Sequence, residues 1–441
     1  MKYHLLSIAN DLWHFYFRKP AGFFFYLIAI TCKWIKAYKL SLKFCLRACR
    51  YFSSSNSNRL LEQLLNNISI PQSWISSGVD LEHAAQRSIV IRWPTFDNDK
   101  CTSKGVIVIT FTKTFSFYAR EINLEKLHRY FYLVLEPSWS GYADPDILSL
   151  FNNTDRIIVE SSEIEDRILL NHFPNQCIAC TFGASDWVDT GLFKPNFSQK
   201  IYDAIYIANT NPIKRIRRYM KAVQNIVLNL DKNYQACLVC ASWGGAEELI
   251  LGFVKQFKLE DNLTLKFSLS GSEVINVLNQ SKVNVLLSLK EGSNRSLFES
   301  MFCGTPVILS SENIGVNKSY INENTGLLLD DTALENGLFW MKNNYHRYNP
   351  RQWALQNISP EITTQKLINL FKDQFNEQLS DFLIKTNNPE VSYLDYPNID
   401  HYHFMRMALS PLLKTTNYSN SEIASQLTTA SDLFQQAKSK R

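Results

Sequence analysis

"KVNVLLSLKEGSNRSLFESMFCGTPVIL", residues 282–309, decides the fold. Its opening run is apolar at successive positions, as in a strand covered on both faces of its sheet. Gly292-Ser293-Asn294 then supplies a turn with capping side chains, a helix opens near Arg295, and Gly304-Thr305-Pro306 leads into a second apolar run. Strand, turn, helix and strand in that order is one repeat of a parallel α/β sheet.

Upstream the same alternation recurs. "YDAIYIAN" (202–209) is followed by a helix from Pro212, "YQACLVCAS" (234–242) by one from about Gly245, and "NLTLKFSLS" (262–270) by "SEVINVLNQ". These repeats predict a doubly wound domain. Residues 85–173 carry a fainter version, with "SIVIRW", "GVIVITF", "RYFYLVLE" and "RIIVE" as buried strands and "SSEIEDRILLNHF" as a helix.

A chain of 441 residues with 45% apolar content can bury more than one core. The formal charge of +5 is unevenly spread, because residues 12–61 hold nine Lys and Arg and no Asp or Glu, which leaves the remainder acidic. A nucleic-acid binder would carry its cations through the folded body, so nucleic acid is not an expected partner. Nine cysteines without a regular framework suit a reducing compartment. The pairs Cys177/Cys180 and Cys237/Cys240 have the spacing of a zinc site, but residues 237 and 240 fall in a strand and would point to opposite faces.

The basic end has two parts. "AGFFFYLIAITC" (21–32) is apolar but too short to span a bilayer. From Lys33, helical periodicity places Lys33, Lys36, Lys39, Lys43, Arg47 and Arg50 on one arc, with Trp34, Tyr38, Leu42, Phe44, Cys45 and Phe52 outside it. That pattern predicts a helix lying on an anionic membrane surface, and a cytoplasmic protein peripherally attached to the inner face of the membrane. The competing reading is a helix that covers the protein's own core.

Ligands of open parallel sheets bind beyond the carboxyl ends of the strands. Glu291 stands at such an end, Gly292, Ser293, Asn294 and Arg295 form the turn into the helix, and Glu299 lies in that helix's second turn. Amide N–H groups at the helix start suit phosphate, while carboxylates beside it suit hydroxyl groups. A nucleotide-diphosphate sugar, with a sugar at each end of a diphosphate, fits both. "NTNPIKRIRRYM" (209–220) crowds Lys214, Arg215, Arg217 and Arg218 into the start of a predicted helix, where the dipole disfavours cations unless an anion lies opposite. Lys214 and Arg215 are therefore candidates for the diphosphate, with Arg218 beside them.

Glu-x7-Glu followed by "CGTPVI" and "NTGLLL", together with "WVDTGLFKP" (187–195), resembles the nucleotide-binding half of retaining GT-B glycosyltransferases of glycosyltransferase family 4. The resemblance implies two Rossmann-like domains facing a cleft, and a carboxy-terminal helix crossing back to the first. It also implies Glu299 on the donor ribose, Glu291 on the transferred sugar, Lys214 and Arg215 on the leaving diphosphate, and no metal or other cofactor. Gly292-Ser293-Asn294-Arg295 stands where the family commonly has Gly-Phe-Gly or Gly-Phe-Pro.

The expected layout is a membrane-interface segment and linker at 1–60, a Rossmann-like acceptor domain at 61–190, and a Rossmann-like nucleotide-sugar domain at 191–345. Crossing helices follow at 346–380 and a tail at 381–441. "EPSWSGYADPDIL" (136–148) offers Trp139 and Ser140 as contacts to a glycan or lipid-linked acceptor. Its Asp144-Pro145-Asp146 reads as a helix cap in preference to a metal-binding Asp-x-Asp. The activity expected is sugar transfer to an acceptor hydroxyl in cell-envelope polysaccharide or glycolipid synthesis. A nucleotide-sugar epimerase and a non-catalytic membrane-bound interaction protein are the alternatives.

Overall fold

The computed structural model describes residues 2–138, 141–152, 155–240, 246–292, 294–387 and 402–439. The chain divides into two compact units. One comprises Met1–Tyr16 and Ser185–Thr363, the other Phe17–Ala184 and Thr364–Arg441. The first sixteen residues therefore fold with the later sheet, and the carboxy-terminal segment with the earlier one.

Helix α1 (Lys2–Leu12) lies in the first of these units. A π-helical turn, Trp13–Phe17, follows it, and the unit boundary falls inside that turn.

The other unit opens with α2 (Arg18–Trp34) and α3 (Tyr38–Tyr51), joined by a turn in which Lys36 takes a left-handed conformation, and then α4 (Ser55–Leu65). Ser54 and Ser57 form a reciprocal capping box at the start of α4, which is why the polar spacer ends where it does. Here the structure corrects the single amphipathic helix expected from Lys33 onward. Leu42, Cys45, Leu46, Ala48 and Cys49 of α3 are buried in the protein's own core. α3 thus follows the core-covering reading, since its apolar face is satisfied by protein.

The sheet of this unit contains β1 (Ser88–Arg92), β2 (Gly105–Thr110), β3 (Phe131–Glu136), β4 (Ile157–Val159) and β5 (Cys177–Ala179), in that spatial order. β1 is antiparallel to β2, and the remaining pairs are parallel. All residues of β1 to β4 are buried, as their unbroken apolar runs require. The strands follow one another without a reversal of order, so this Rossmann-like sheet has no switch point among the described residues. Asp144 caps the helix that starts at Pro145 by accepting from Asp146 N at 2.9 Å, and takes an ion pair from Arg50 at 2.9 Å.

The second sheet contains β6 (Ala204–Ile207), β7 (Ala236–Cys240), β8 (Leu263–Phe267), β9 (Asn284–Leu286), β10 (Val307–Ser310) and β11 (Gly326–Leu329). Its order is β8-β7-β6-β9-β10-β11, all parallel. The winding reverses between β6 and β9, which makes that pair the topological switch point. All nine cysteines are free, and every one but Cys101 is buried.

Candidate active site at the switch point

The two loops leaving the switch-point strands carry the candidate residues. After β6, Asn211 accepts from Ile213 N at 3.1 Å and starts a single 3-10 turn, Pro212–Lys214. Arg215 then takes a left-handed conformation (φ 55°), and only after it does α5 (Ile216–Asn229) begin. The helix expected from Pro212 is therefore broken at Arg215, so Lys214 and Arg215 do not share a helix face. Tyr206 of β6 donates its hydroxyl to the Lys214 carbonyl and fixes the turn over the strand end.

After β9, Asn294 caps α6 (Arg295–Phe302), its side-chain oxygen accepting from Leu297 N at 3.0 Å. At the far end Gly304 adopts φ 76°, with Gly304 N on Met301 O at 2.9 Å and Thr305 N on Ser300 O at 3.0 Å. This paired closure explains the Gly-Thr-Pro signature, because only glycine takes the left-handed stop at little cost. Asn284 of β9 donates to the Ser296 carbonyl at 2.9 Å, tying α6 to its strand.

Lys214 Nζ lies 2.6 Å and 2.7 Å from the two carboxylate oxygens of Glu291. Ser288 donates its hydroxyl to the same carboxylate, and Leu289 N donates to Ile213 O at 3.1 Å, so the loops are joined through backbone as well. The Glu291 side chain is almost covered. Glu299 is also buried, which raises its pKa against the weaker opposing pull of Arg295. Arg295 Nε stands 4.0 Å from it, the i,i+4 pairing that the spacing allows, too long for a strong hydrogen bond. Ser293, Trp139 and Ser140 lie outside the described residues.

Arg215 and Arg218 are engaged elsewhere. Arg215, 3% exposed, donates through both terminal nitrogens to Asp331 and through Nε to Asp11 of α1 at 3.0 Å. Arg218 forms a two-point pair with Glu335 and also reaches the Asp331 carbonyl. Burial opposes the Asp331 charge, yet the bond and charge of Arg215 hold its carboxyl below the usual range. Asp11 is shifted upward, because burial outweighs the same arginine. The anion that balances the crowded cations here is a set of the protein's own carboxylates.

Sequence reasoning missed the loop 313–316. Glu291 N donates to Ile314 O at 2.8 Å, and Asn313 Nδ2 to Ser288 O at 2.7 Å. Gly315 (φ 109°) comes so close that an added Cβ would sit 1.9 Å from the Glu291 carbonyl oxygen. The signal was the pair Asn-x-Gly shortly after β10. Elsewhere, a cavity of about 600 Å³ lined by Arg92, Trp93, Asp381, Phe434 and Gln435 opens in the other unit. It adjoins the carboxyl end of antiparallel β1, hence the amino ends of the parallel strands, where ligands of such sheets do not bind. Among the described residues no three His, Cys, Asp or Glu side chains cluster as a metal site.

A six-stranded doubly wound sheet with a Lys–Glu pair at its switch point, and a second glutamate in the helix beyond, defines a Rossmann-like domain. Residues 189–350 of this domain match the family described as Glycosyl transferases group 1. The N-acetyl-alpha-D-glucosaminyl L-malate synthase of Bacillus anthracis is 26% identical over 188 residues, covering 42% of this chain and 47% of that protein. Among solved structures, a mutant of S. aureus TarM in complex with Fondaparinux, alpha-GlcNAc-glycerol and UDP is similar with a TM-score of 0.46. Its identity is 19%, over 56% of this chain and 52% of that one. The pneumococcal O-GlcNAc transferase GtfA, in complex with UDP and GlcNAc, has a TM-score of 0.44 and 18% identity over 56% of this chain and 53% of that one. The chain thus spans about half the length of these relatives.

Proposed function

We propose that the protein is a GT-B glycosyltransferase that moves a sugar from a nucleotide-diphosphate donor to an acceptor hydroxyl. The observation that carries the reading is the Lys214–Glu291 pair at the switch point, with Glu299 in the helix that follows. In the step proposed, the bond between the anomeric carbon and the diphosphate oxygen breaks and the electron pair leaves with that oxygen. The acceptor oxygen forms the new bond and passes its proton to the departing diphosphate oxygen. Lys214 and the amino end of α6 stabilise the departing charge. Glu291 accepts from hydroxyls of the transferred sugar and Glu299 from those of the ribose. Gly292, Asn294 and Arg295 line the turn between them.

Arg215 acts at one remove, by holding the turn that presents Lys214. Retention of anomeric configuration and membership of family 4 rest on the sequence resemblance. No metal enters the proposed step. The acceptor is a glycan or a lipid-linked glycan used in cell-envelope synthesis, met at the inner face of an anionic membrane. The basic amino-terminal segment supports that location, and no helix among the described residues is long and apolar enough to cross a bilayer.

A thermal-shift panel of UDP, GDP, ADP and their sugars tests the reading, because a ligand bound only by the folded state raises its melting temperature. One base is expected to give a shift that Lys214→Ala abolishes. No shift with any nucleotide, or an unchanged shift in the variant, would overturn it.

A further inference from the structure

Helix α2 is packed on one side only. Gly22, Ala29 and Cys32 are buried, and a Cβ at Gly22 would meet that of Phe52 at 2.7 Å, so this side is pressed against the protein. The opposite side carries Phe23 and Phe24, each 60% exposed, then Leu27 and Trp34, the last 81% exposed. Phe23, Leu27 and Trp34 are spaced by four and seven residues and, with Phe24 beside them, form one outward stripe. Ile35 extends the stripe into the turn before α3. About half of all large apolar side chains left exposed among the described residues lie between Leu5 and Leu40.

The cations frame that stripe. Lys19 at the start of α2, Lys36 in the turn and Lys39 at the head of α3 are exposed, while Arg18 pairs with Glu165 at 3.8 Å, Lys33 donates to Gln63 at 2.5 Å, and residues 20–32 are uncharged. With 17 residues, α2 is about 25 Å long, short of the hydrocarbon core it would have to cross. Its inner side is also held by protein. A helix of this kind lies in the plane of a bilayer interface, its apolar side among the upper acyl carbons and its cations at the phosphates.

We propose that the outer side of α2, with the turn Ile35–Ala37, is a membrane-docking surface for bilayers rich in anionic phospholipid. The inference rests on the peripheral-membrane reading above and moves the contact from α3 to α2. Charge complementarity favours lipid over a second copy of the chain, because two such surfaces would set like charges against each other.

The test is flotation of the full chain with phosphatidylcholine vesicles and with mixed phosphatidylcholine–phosphatidylglycerol vesicles. Binding to the anionic vesicles is expected, with a loss of roughly tenfold or more in Phe23→Glu/Leu27→Glu/Trp34→Glu, given the transfer free energy of three large apolar side chains. A wild-type melting temperature in that variant shows that the fold is kept, as exposed positions allow. Lys36→Ala/Lys39→Ala is expected to weaken binding and flatten its salt dependence. Wild-type vesicle binding by the triple variant would overturn this surface and leave membrane attachment to another element. Absence of binding by the unaltered chain would overturn the membrane reading together with the surface. A dimer in light scattering that the triple variant disperses, without vesicle binding, would assign the stripe to a second copy.

Discussion

Arg215 and Asp11, 204 positions apart in the chain, are joined by a 3.0 Å hydrogen bond from Nε to Oδ1. Phe15 lies under the same guanidinium at 5.7 Å, and His14 Nε2 meets the Glu312 carbonyl at 3.0 Å. Tyr3 packs at a tilt against Phe253, ring centroids 5.1 Å apart, near the other end of α1. Three separated contacts therefore seat the first sixteen residues on the domain that carries the candidate site. Asp11→Ala is expected to cost about 1 kcal/mol, since the carboxylate is part exposed and Arg215 keeps Asp331. It should also speed proteolytic cleavage before Phe17, read by mass spectrometry. Arg215→Lys should cost more, because one ammonium cannot bridge both carboxylates in the plane of the fork.

Lys214 and Glu291 are expected to behave as a coupled pair. Lys214→Ala leaves a nearly covered carboxylate without its cation, hydrogen-bonded by the neutral Ser288 hydroxyl, and should destabilise by about 1–3 kcal/mol. Glu291→Gln should cost less, and the double variant less than the sum of the singles. Urea denaturation of the four proteins measures the coupling. Both single variants should also lose nucleotide-sugar turnover by tenfold or more, about 1.4 kcal/mol in barrier.

Glu299 gives a pH signature with a definite sign. Burial raises its carboxyl above the usual glutamate value, so the folded state binds its proton more tightly than the unfolded chain does. Its contribution is favourable below the usual value and is lost as pH rises through the higher, folded value. Glu299→Gln should therefore melt above the unaltered protein at neutral pH, the gap closing as pH falls below the ordinary glutamate range. A gap that does not vary with pH would contradict the assignment.

Gly315→Ala should disturb the site without touching a charged group. The new methyl group would collide with the Glu291 carbonyl, and φ of 109° is strained for any residue with a Cβ. A stability loss of more than about 1 kcal/mol is expected. Nucleotide binding by titration calorimetry should weaken with it, because Glu291 N and Ile314 O share a 2.8 Å bond beside that glycine.

The second sheet was legible because its strands are apolar on both faces and its turns carry Asn, Gly and Pro where caps and stops need them. Asn294 caps α6 as its position predicted. The start of α5 was misread, because nothing local distinguishes a helix beginning at Pro212 from a single turn closed by left-handed Arg215. That choice is made by Tyr206, 8 residues before Lys214, and by Asp331, 116 residues after Arg215. For the same reason the carboxylate partners of Arg215 and Arg218 in "IKRIRR" were not legible. Those partners, Asp331, Glu335 and Asp11, lie more than a hundred residues away, and a linear reading assigns no partner at that range. α3 showed the opposite failure, where a correct helical period did not reveal whether the apolar side met protein or lipid.

Strand β6 touches β7 on one side and β9 on the other, Ile205 pairing with Cys237 and with Asn284. A chain growing from the ribosome therefore carries β6, β7 and β8 for the time it takes to make everything up to Asn284, with one hydrogen-bonding edge of an apolar strand still open. Nascent chains stalled in that interval would be the species most apt to aggregate, and the ones a holding chaperone should capture.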